Sequence, residues 1–235
     1  SKSNIYTSYN AGFRTPNVDD LGTLGIVDFR YELPTNNLKP EKSSNYELGY
    51  KFRTNRFSAA TALYYSDLRD LIARVKVQNQ VINGYNVYQK ENIEEANIKG
   101  IEAEFEGLIS KELKTYGGVS YTYGQNITKN EPMRRIPPLN GRFGLEYRKS
   151  NFFVRPELLF ASKQDRLAQG DKDDNRIGKS GTAAWQIVNI YGGYEYKWLN
   201  INLSAQNLTN KDYRTHGSGI NGVGRSLWLT LNVEI

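Results

Sequence analysis

The sequence predicts an all-β protein, an antiparallel up-and-down β-barrel that crosses a membrane with about ten strands. Three observations carry this. First, the stretch from Ser226 to Ile235 alternates without a break: Leu227, Leu229, Leu231, Val233 and Ile235 are apolar, and Ser226, Trp228, Thr230, Asn232 and Glu234 stand between them. Period-two alternation makes a strand with two unlike faces. In a transmembrane barrel the apolar row meets lipid and the polar row faces the lumen. Second, long and short connections alternate along the whole chain. Third, the chain is only 38% hydrophobic and has no run of about 18 apolar residues, so no helical span is present. A barrel tolerates this composition, because only alternate residues need be apolar.

The strands follow in order. Ile5, Thr7 and Tyr9 alternate with Tyr6, Ser8 and Asn10 in a first strand over about residues 4–12. Residues 13–41 hold Pro16, Pro34 and Pro40 and are expected to form a loop. Tyr46, Leu48, Tyr50 and Phe52 mark the second strand, which ends in a tight turn at Thr54-Asn55-Arg56. Phe57 to about Lys76 is the third, and residues 77–87, around Asn83-Gly84, are expected to be a polar loop. The fourth ends with Ile101, Ala103 and Phe105 against Glu102, Glu104 and Glu106. Three like charges on one strand face repel, so they need water or cations opposite, as a polar lumen or a solvated sheet face provides.

Ser110-Lys111 turns the chain into a fifth strand with Val119, Tyr121 and Tyr123, followed by a loop at 126–135. Phe143, Leu145 and Tyr147 face away from Arg142, Glu146 and Arg148 in the sixth, and Lys149-Ser150-Asn151 turns into the seventh, marked by Phe152, Val154, Leu158 and Phe160. That turn predicts Glu146 opposite Arg155 and Arg148 opposite Phe153. The nearby alternative sets Arg148 against Arg155, a repulsive pair. A polar loop at 162–182, strands around Val188–Tyr196 and Ile201–Ala205 with a turn at Trp198-Leu199, and a glycine-rich loop at 214–224 lead to the final strand.

The long connections are therefore 13–41, 77–87, 126–135, 162–182 and 214–224, and the tight turns lie near 55, 110, 150 and 198. In an up-and-down barrel alternate connections share an end, so every long loop lies at one end. Outer-membrane barrels have this asymmetry, with long loops outside and short turns in the periplasm. A Greek-key sandwich has no reason to sort its loops. The last strand then brings Ile235 to the short-turn side.

Composition narrows the function. An aromatic content of 12% suits interfacial girdles, and zero Cys excludes disulfides and thiolate metal sites. The net charge of +6 is spread without a Lys/Arg run, which disfavours nucleic acid. No signal peptide is visible, and Ser1 stands almost directly on a strand pattern, so the chain is expected to be part of something longer.

Six segments resemble the TonB-dependent receptor family. Tyr9-Asn10-Ala11-Gly12-Phe13-Arg14-Thr15-Pro16 is similar to its GFR-x-P segment, and Asn36-Asn37-Leu38-Lys39-Pro40-Glu41 to its NPxLKPE segment, with Asn at the usual Pro. Asn45-Tyr46-Glu47-Leu48-Gly49 resembles the following strand, and Ile98-Lys99-Gly100-Ile101-Glu102 the GxE strand. Asn207-Leu208-Thr209-Asn210-Lys211-Asp212-Tyr213 resembles the NLTNxxY strand, and Gly224-Arg225 opens the last strand as in the family. Ile235 departs from the aromatic that usually closes it. The resemblance implies that residues 1–235 are the C-terminal part of a barrel of about 22 strands with a plugged lumen. It also implies a Gram-negative outer membrane, a plug domain and further strands outside this chain, and energy from TonB through the plug. Ten strands carry the wrong curvature to close alone and leave two unpaired edges, which lipid does not tolerate.

No catalytic constellation is visible. His216 is the only histidine, and Asp212, Ser218 and Ser226 near it are of a kind found on every strand. Asp171, Asp173 and Asp174 have the spacing of a calcium-loop start without its Gly and distal Glu, so a solvated loop is expected there. One Met and one His disfavour a copper or zinc receptor. No cofactor is expected, and the partner is a small molecule. Haem receptors of the family often place a haem-ligating His between the first two boxes, where residues 17–35 hold none; Tyr31 is a substitute ligand. A ferric siderophore is already saturated at iron and wants aromatics and cations around it. The candidate contacts are Arg134, Arg135, Arg176, Arg214, His216, Arg225 and Tyr31. The expectation is a TonB-dependent receptor importing a ferric siderophore, with haem or cobalamin as alternatives. An outer-membrane barrel enzyme and a soluble β carbohydrate-binding module are the alternatives of other classes.

Overall fold

Alternating faces and tight turns predict a sheet of sequential hairpins, and this is what forms. The computed structural model describes residues 2–27 and 30–234. Its elements are β1 (Lys2–Arg14), α1 (Val18–Gly22), β2 (Gly25–Val27), β3 (Arg30–Leu33), β4 (Glu41–Arg53), β5 (Phe57–Ile82), β6 (Tyr85–Leu108) and β7 (Leu113–Asn126). There follow β8 (Glu131–Pro132), β9 (Asn140–Lys149), β10 (Phe152–Ala161), α2 (Gln169–Lys172), β11 (Trp185–Tyr196), β12 (Leu199–Gln206) and β13 (Ser226–Val233). Ten strands form one wall in the order β1-β4-β5-β6-β7-β9-β10-β11-β12-β13. Every neighbouring pair in it is antiparallel. The wall is an open arc with β1 and β13 at its edges. Ile235, expected to end the lipid-facing row, and Ser1 lie outside the described residues, as do Asp28 and Phe29 of the first long loop.

The register sorts the two faces. One row runs Lys51–Ala60–Glu104–Gly118–Arg142–Leu159 across six strands, and the next runs Tyr6–Gly49–Ala62–Glu102–Ser120–Asn140–Ala161. Members of both rows line a single cavity, so this face is the concave one. Glu102, Glu104 and Glu106 therefore point into the lumen, where Lys114 meets Glu106 at 2.9 Å. The opposite rows, such as Leu48–Leu63–Ile101–Tyr121, are exposed on the convex face.

Two strings of rings run along the convex face. Tyr9, Tyr46 and Tyr65 lie tilted against one another at centroid separations of 5.1 and 6.4 Å on the long-loop side. Phe52, Phe57, Phe105 and Phe143 follow one another at 6.2–6.4 Å on the short-turn side. On β5, Phe57 and Tyr65 are eight residues apart. At about 3.3 Å per residue and a tilt of about 40° this separates the strings by roughly 20 Å, close to the apolar band of an outer-membrane barrel. Rings at both borders of that band are the expected girdles.

The hairpin register is as the charges required. Arg148 pairs with Phe153, its guanidinium 4.7 Å from the ring centroid, and Arg155 lies 3.9 Å from Glu146. One expectation fails. Residues 77–87 are not a loop: β5 and β6 continue to a two-residue turn at Asn83 (φ 50°) and Gly84 (φ 82°). Positive φ at both positions is the type I′ signature that keeps hairpin strands in step. The polarity that suggested a loop belongs to a strand pair standing clear of the lipid, which needs no apolar face. Residues 13–41 are likewise more ordered than expected. They carry α1, closed by a reciprocal Asn17–Asp20 capping box, and β3, which adds to β6 in parallel.

On β13, Leu227, Leu229, Leu231 and Val233 pair with Ala205, Leu203, Ile201 and Leu199 on the convex side, while Thr230 and Asn232 pair with Asn202 and Asn200. In the assembled barrel Leu229→Arg should impair insertion by about 2–4 kcal/mol if it sits near the midplane. Spin labels at 227, 229 and 231 should be lipid-accessible and those at 230 and 232 should not. The reverse pattern would break the facing model.

Candidate ligand-binding mouth

Three connections on the long-loop side converge: 127–139, 162–184 and 207–225. Their roots are held by buried polar groups. Asn207 is 1% exposed and left-handed (φ 48°). Its Nδ2 donates to the carbonyls of Lys211 (2.8 Å) and Val223 (3.0 Å), its Oδ1 accepts from Lys211 N–H (2.8 Å), and its own N–H donates to Asn189 Oδ1 (2.9 Å). Asn210, also left-handed, accepts from Arg225 N–H at 3.0 Å. The two asparagines of the NLTN segment thus clamp both ends of the last loop. At the other end of the wall Arg14 plays a similar part, donating to Glu41 (2.5 Å) and Asp20 (2.6 Å). The FR-x-P and LKPE segments therefore meet in one ion pair.

Residues 2–208 match the family model described as TonB dependent receptor-like, beta-barrel. The chain belongs to the TonB-dependent receptor family. Among curated relatives, it is 27% identical over 240 residues to Hemoglobin-binding protein A of Haemophilus influenzae, an alignment covering 91% of this chain and 24% of the relative. It is 33% identical over 161 residues to a probable hemoglobin and hemoglobin-haptoglobin-binding protein 4 of the same species, covering 61% of this chain and 16% of the relative. Among solved structures it resembles a copper transporter, OprC (TM-score 0.79, 20% identity, 98% of this chain, 37% of that one). It also resembles a variant of the ferric enterobactin receptor of Pseudomonas aeruginosa bound to enterobactin (TM-score 0.80, 18% identity, 98% and 38%). The chain thus spans about a quarter of the first relative and over a third of these structures. Members of this family are receptors and transporters rather than enzymes, and their barrels sit in Gram-negative outer membranes.

In this receptor barrel the loop roof is organised by two aspartates. Asp171, 1% exposed, accepts the backbone N–H of Arg135 (3.2 Å) and lies 3.7 Å from Arg134 Nε. Asp174 gathers three guanidiniums: Arg176 at 2.6 Å, Arg135 at 3.1 Å and Arg134 at 3.5 Å. Asp173 instead accepts from Gln169 at 2.9 Å. The three aspartates do not share a metal-sized centre, and no metal-binding acid or His cluster occurs among the described residues. The solvated loop expected there is corrected for Asp171 and Asp174, which are buried by the arginines that sequence reasoning had assigned to the ligand.

His216 lies on the lumen side of this roof. Thr215–Ser218 is a turn closed by Ser218 N–H to the Thr215 carbonyl at 3.0 Å, with Gly217 at φ 77° in its third position, as a type II turn requires. His216 Nδ1 is 2.9 Å from Thr182 Oγ1, and Nε2 is buried without a hydrogen-bond partner among the described residues. Burial lowers its pKa below the ordinary histidine value, opposed in part by Asp171. With Thr215, Thr182 and Trp185 it borders the lumen cavity of about 830 Å³.

The structure brings Arg134, Arg135, Arg176, Arg214 and His216 to one mouth. Arg214 reaches the Arg176 carbonyl at 3.4 Å and Asn221 Oδ1 at 2.7 Å. Arg225 sits at the foot of the last strand. Tyr31 lies elsewhere, in β3 on the β5–β6 hairpin, beside a buried Glu32 that pairs with Arg74 at 2.6 Å. Asp171, Asp174 and Thr182 were missed as site residues. Only the run Asp171-Lys172-Asp173-Asp174 marked two of them in the sequence.

Asn207→Ala should leave two carbonyls and one N–H unpaired, at about 1–3 kcal/mol each where they stay dry. Amide exchange in 207–225 should accelerate while β5–β7 stay protected; unchanged exchange would show that the clamp is not Asn207. Because His216 has a lowered pKa, its neutral form stabilises the roof above the unfolded value of about 6.5, and this is lost as pH falls through the folded value. Protection of the last loop should therefore drop on acidification, and His216→Ala should remove that dependence.

Proposed function

We propose that residues 1–235 form the C-terminal portion of a receptor barrel in a Gram-negative outer membrane. Further strands and a plug domain complete it, and TonB energises import through the plug. We further propose that its cargo is haem rather than a ferric chelate. The observation that carries this choice is the fate of the arginines. A ferric siderophore needs cations that can turn toward it, and Arg134, Arg135 and Arg176 are instead tied to Asp174, which holds their geometry while offsetting one of their three charges. Two curated relatives carry names that state haemoglobin binding, and another of them is a heme/hemopexin utilization protein. A haem source fits both facts without new charge.

A ferric chelate is the second reading. It is supported by Arg214, whose guanidinium binds an amide and a carbonyl oxygen rather than a carboxylate and so keeps its charge. The whole receptor, expressed in a strain lacking other iron receptors and offered haem or a ferric siderophore as the sole iron source, separates the two. Growth on haem that requires TonB is the expected outcome. Growth on ferric siderophores with none on haem would replace the first reading by the second.

A further inference from the structure

The convex face carries two cations that the mouth does not use. One cross-strand row on its long-loop side runs Tyr9–Tyr46–Tyr65–Lys99–Tyr123 over β1, β4, β5, β6 and β7. The tyrosines belong to the girdle on that side, and the lysine interrupts them. Lys99 Nζ lies 5.3 Å from the centroid of the Tyr123 ring. Arg166 reaches the same ring from the connection 162–184, with its Cζ 3.7 Å from the centroid. Both distances fall inside the roughly 6 Å over which an aromatic face attracts a cation.

Arg166 is fixed from the protein side. One terminal nitrogen donates to the Gly124 carbonyl at 3.1 Å and the other to Gln125 Oε1 at 2.5 Å. A guanidinium has five N–H donors, so donors remain for a ligand. Other cations on this face are matched by acids: Arg69 lies 2.7 Å from Asp67, and Lys42 lies 3.2 Å from Asp70. Lys99 and Arg166 make no ion pair among the described residues. The nearest acid along this face of β6, Glu95, stands four positions further out.

The position of these charges selects their counter-ion. Toward the short-turn side the same face continues through Ile101, Tyr121 and Val119, all exposed. Apolar surface for acyl chains thus runs up to two unmatched cations at the height of the headgroups. Exposed cations hold a free anion weakly, because salt screens the attraction. A lipid phosphate is kept at that height by its own chains. We propose that Lys99 and Arg166 bind the phosphate of an anionic lipid in the outer leaflet, whose chains lie over Ile101, Tyr121 and Val119. Arg166 offers paired N–H donors to the phosphate oxygens and Lys99 a compact charge. Tyr123 is the positioning residue, its ring holding both cations at one place. The assignment rests on the outer-membrane placement above and is independent of the cargo.

The test uses the purified full receptor in detergent, titrated with diphosphoryl lipid A and read by native mass spectrometry, with an excess of zwitterionic phosphatidylethanolamine as competitor. Wild type should retain a lipid A adduct. Lys99→Gln and Arg166→Gln should each weaken retention by about tenfold. Lys99→Arg should preserve it, and so should Lys42→Gln, which removes a charge already matched by an acid. Tyr123→Leu should weaken retention and Tyr123→Phe should restore it. Heat-modifiable migration on a gel verifies barrel assembly in every variant. A wild type without the adduct, or an adduct unchanged in the assembled Lys99→Gln/Arg166→Gln variant, overturns the assignment and leaves the barrel reading intact. Equal loss in Lys42→Gln reduces the site to general surface charge, and displacement by an equal concentration of inorganic phosphate makes it a free-anion site; either overturns it. Absence of the receptor from the outer-membrane fraction brings down the placement itself.

Discussion

Everything in this wall depends on one requirement: inside lipid each backbone N–H and C=O must be paired within the protein. Sequential hairpins meet it with the shortest connections, and the ladder between each pair of neighbours then locks side chains to one face or the other. The residue-by-residue registers from β4 to β10 pass the two rows unbroken, so Lys51 and Arg142, four strands apart in the wall, end on the same side. The same ladder leaves β1 and β13 as edges in the described arc. Such edges are incompatible with bilayer unless further strands cover them.

The requirement also inverts the usual interior. The large apolar side chains face outward, where Ile5, Leu48, Leu63 and Leu229 are about half exposed or more. The buried set instead includes Glu32, Lys90, Glu94, Gln164, Asp171, Asn189 and Asn207. Most of these groups lie on the long-loop side, where segments that cannot use lipid contact hold one another by hydrogen bonds and ion pairs. Buried ionic groups of this sort add little net stability, yet removing one partner is expensive. They specify which loop meets which, and this is what a mouth of defined shape requires.

The wall was legible and the roof was not. Alternation at Ser226–Val233, like charges at Glu102, Glu104 and Glu106, and the choice between partners for Arg148 each follow from local rules of pairing, so facing and register could be derived from short windows. The stretch 77–87 was misjudged because its polarity was weighed as though every strand needed an apolar face. At the mouth, local rules run out. Nothing near Asp174 in the sequence indicates that Arg134 and Arg135, forty and thirty-nine positions away, will close on it. The pairing of His216 with Thr182 spans thirty-four positions and rests on how two loops happen to cross. The NLTN segment was visible as a pattern, but its role emerged only with the left-handed backbone of Asn207 and Asn210.

The arginine cluster and the histidine are one construction. Arg134 packs over Gly170, Arg135 passes beside Gly217, and the Arg176 stem lies against Gly219, so each guanidinium that binds Asp174 also leans on the backbone of a neighbouring loop turn. A Cβ at Gly217 would sit 3.6 Å from Arg135 Cγ, which places that arginine in direct contact with the turn that presents His216. The charge on Asp174 therefore does two things. It offsets one of the three guanidinium charges, and it draws three loops together around the turn that carries His216. A mouth selecting by charge would leave its guanidiniums open. Here they stay about half exposed while bracing the loops, so the cluster shapes the mouth and still presents positive charge to it.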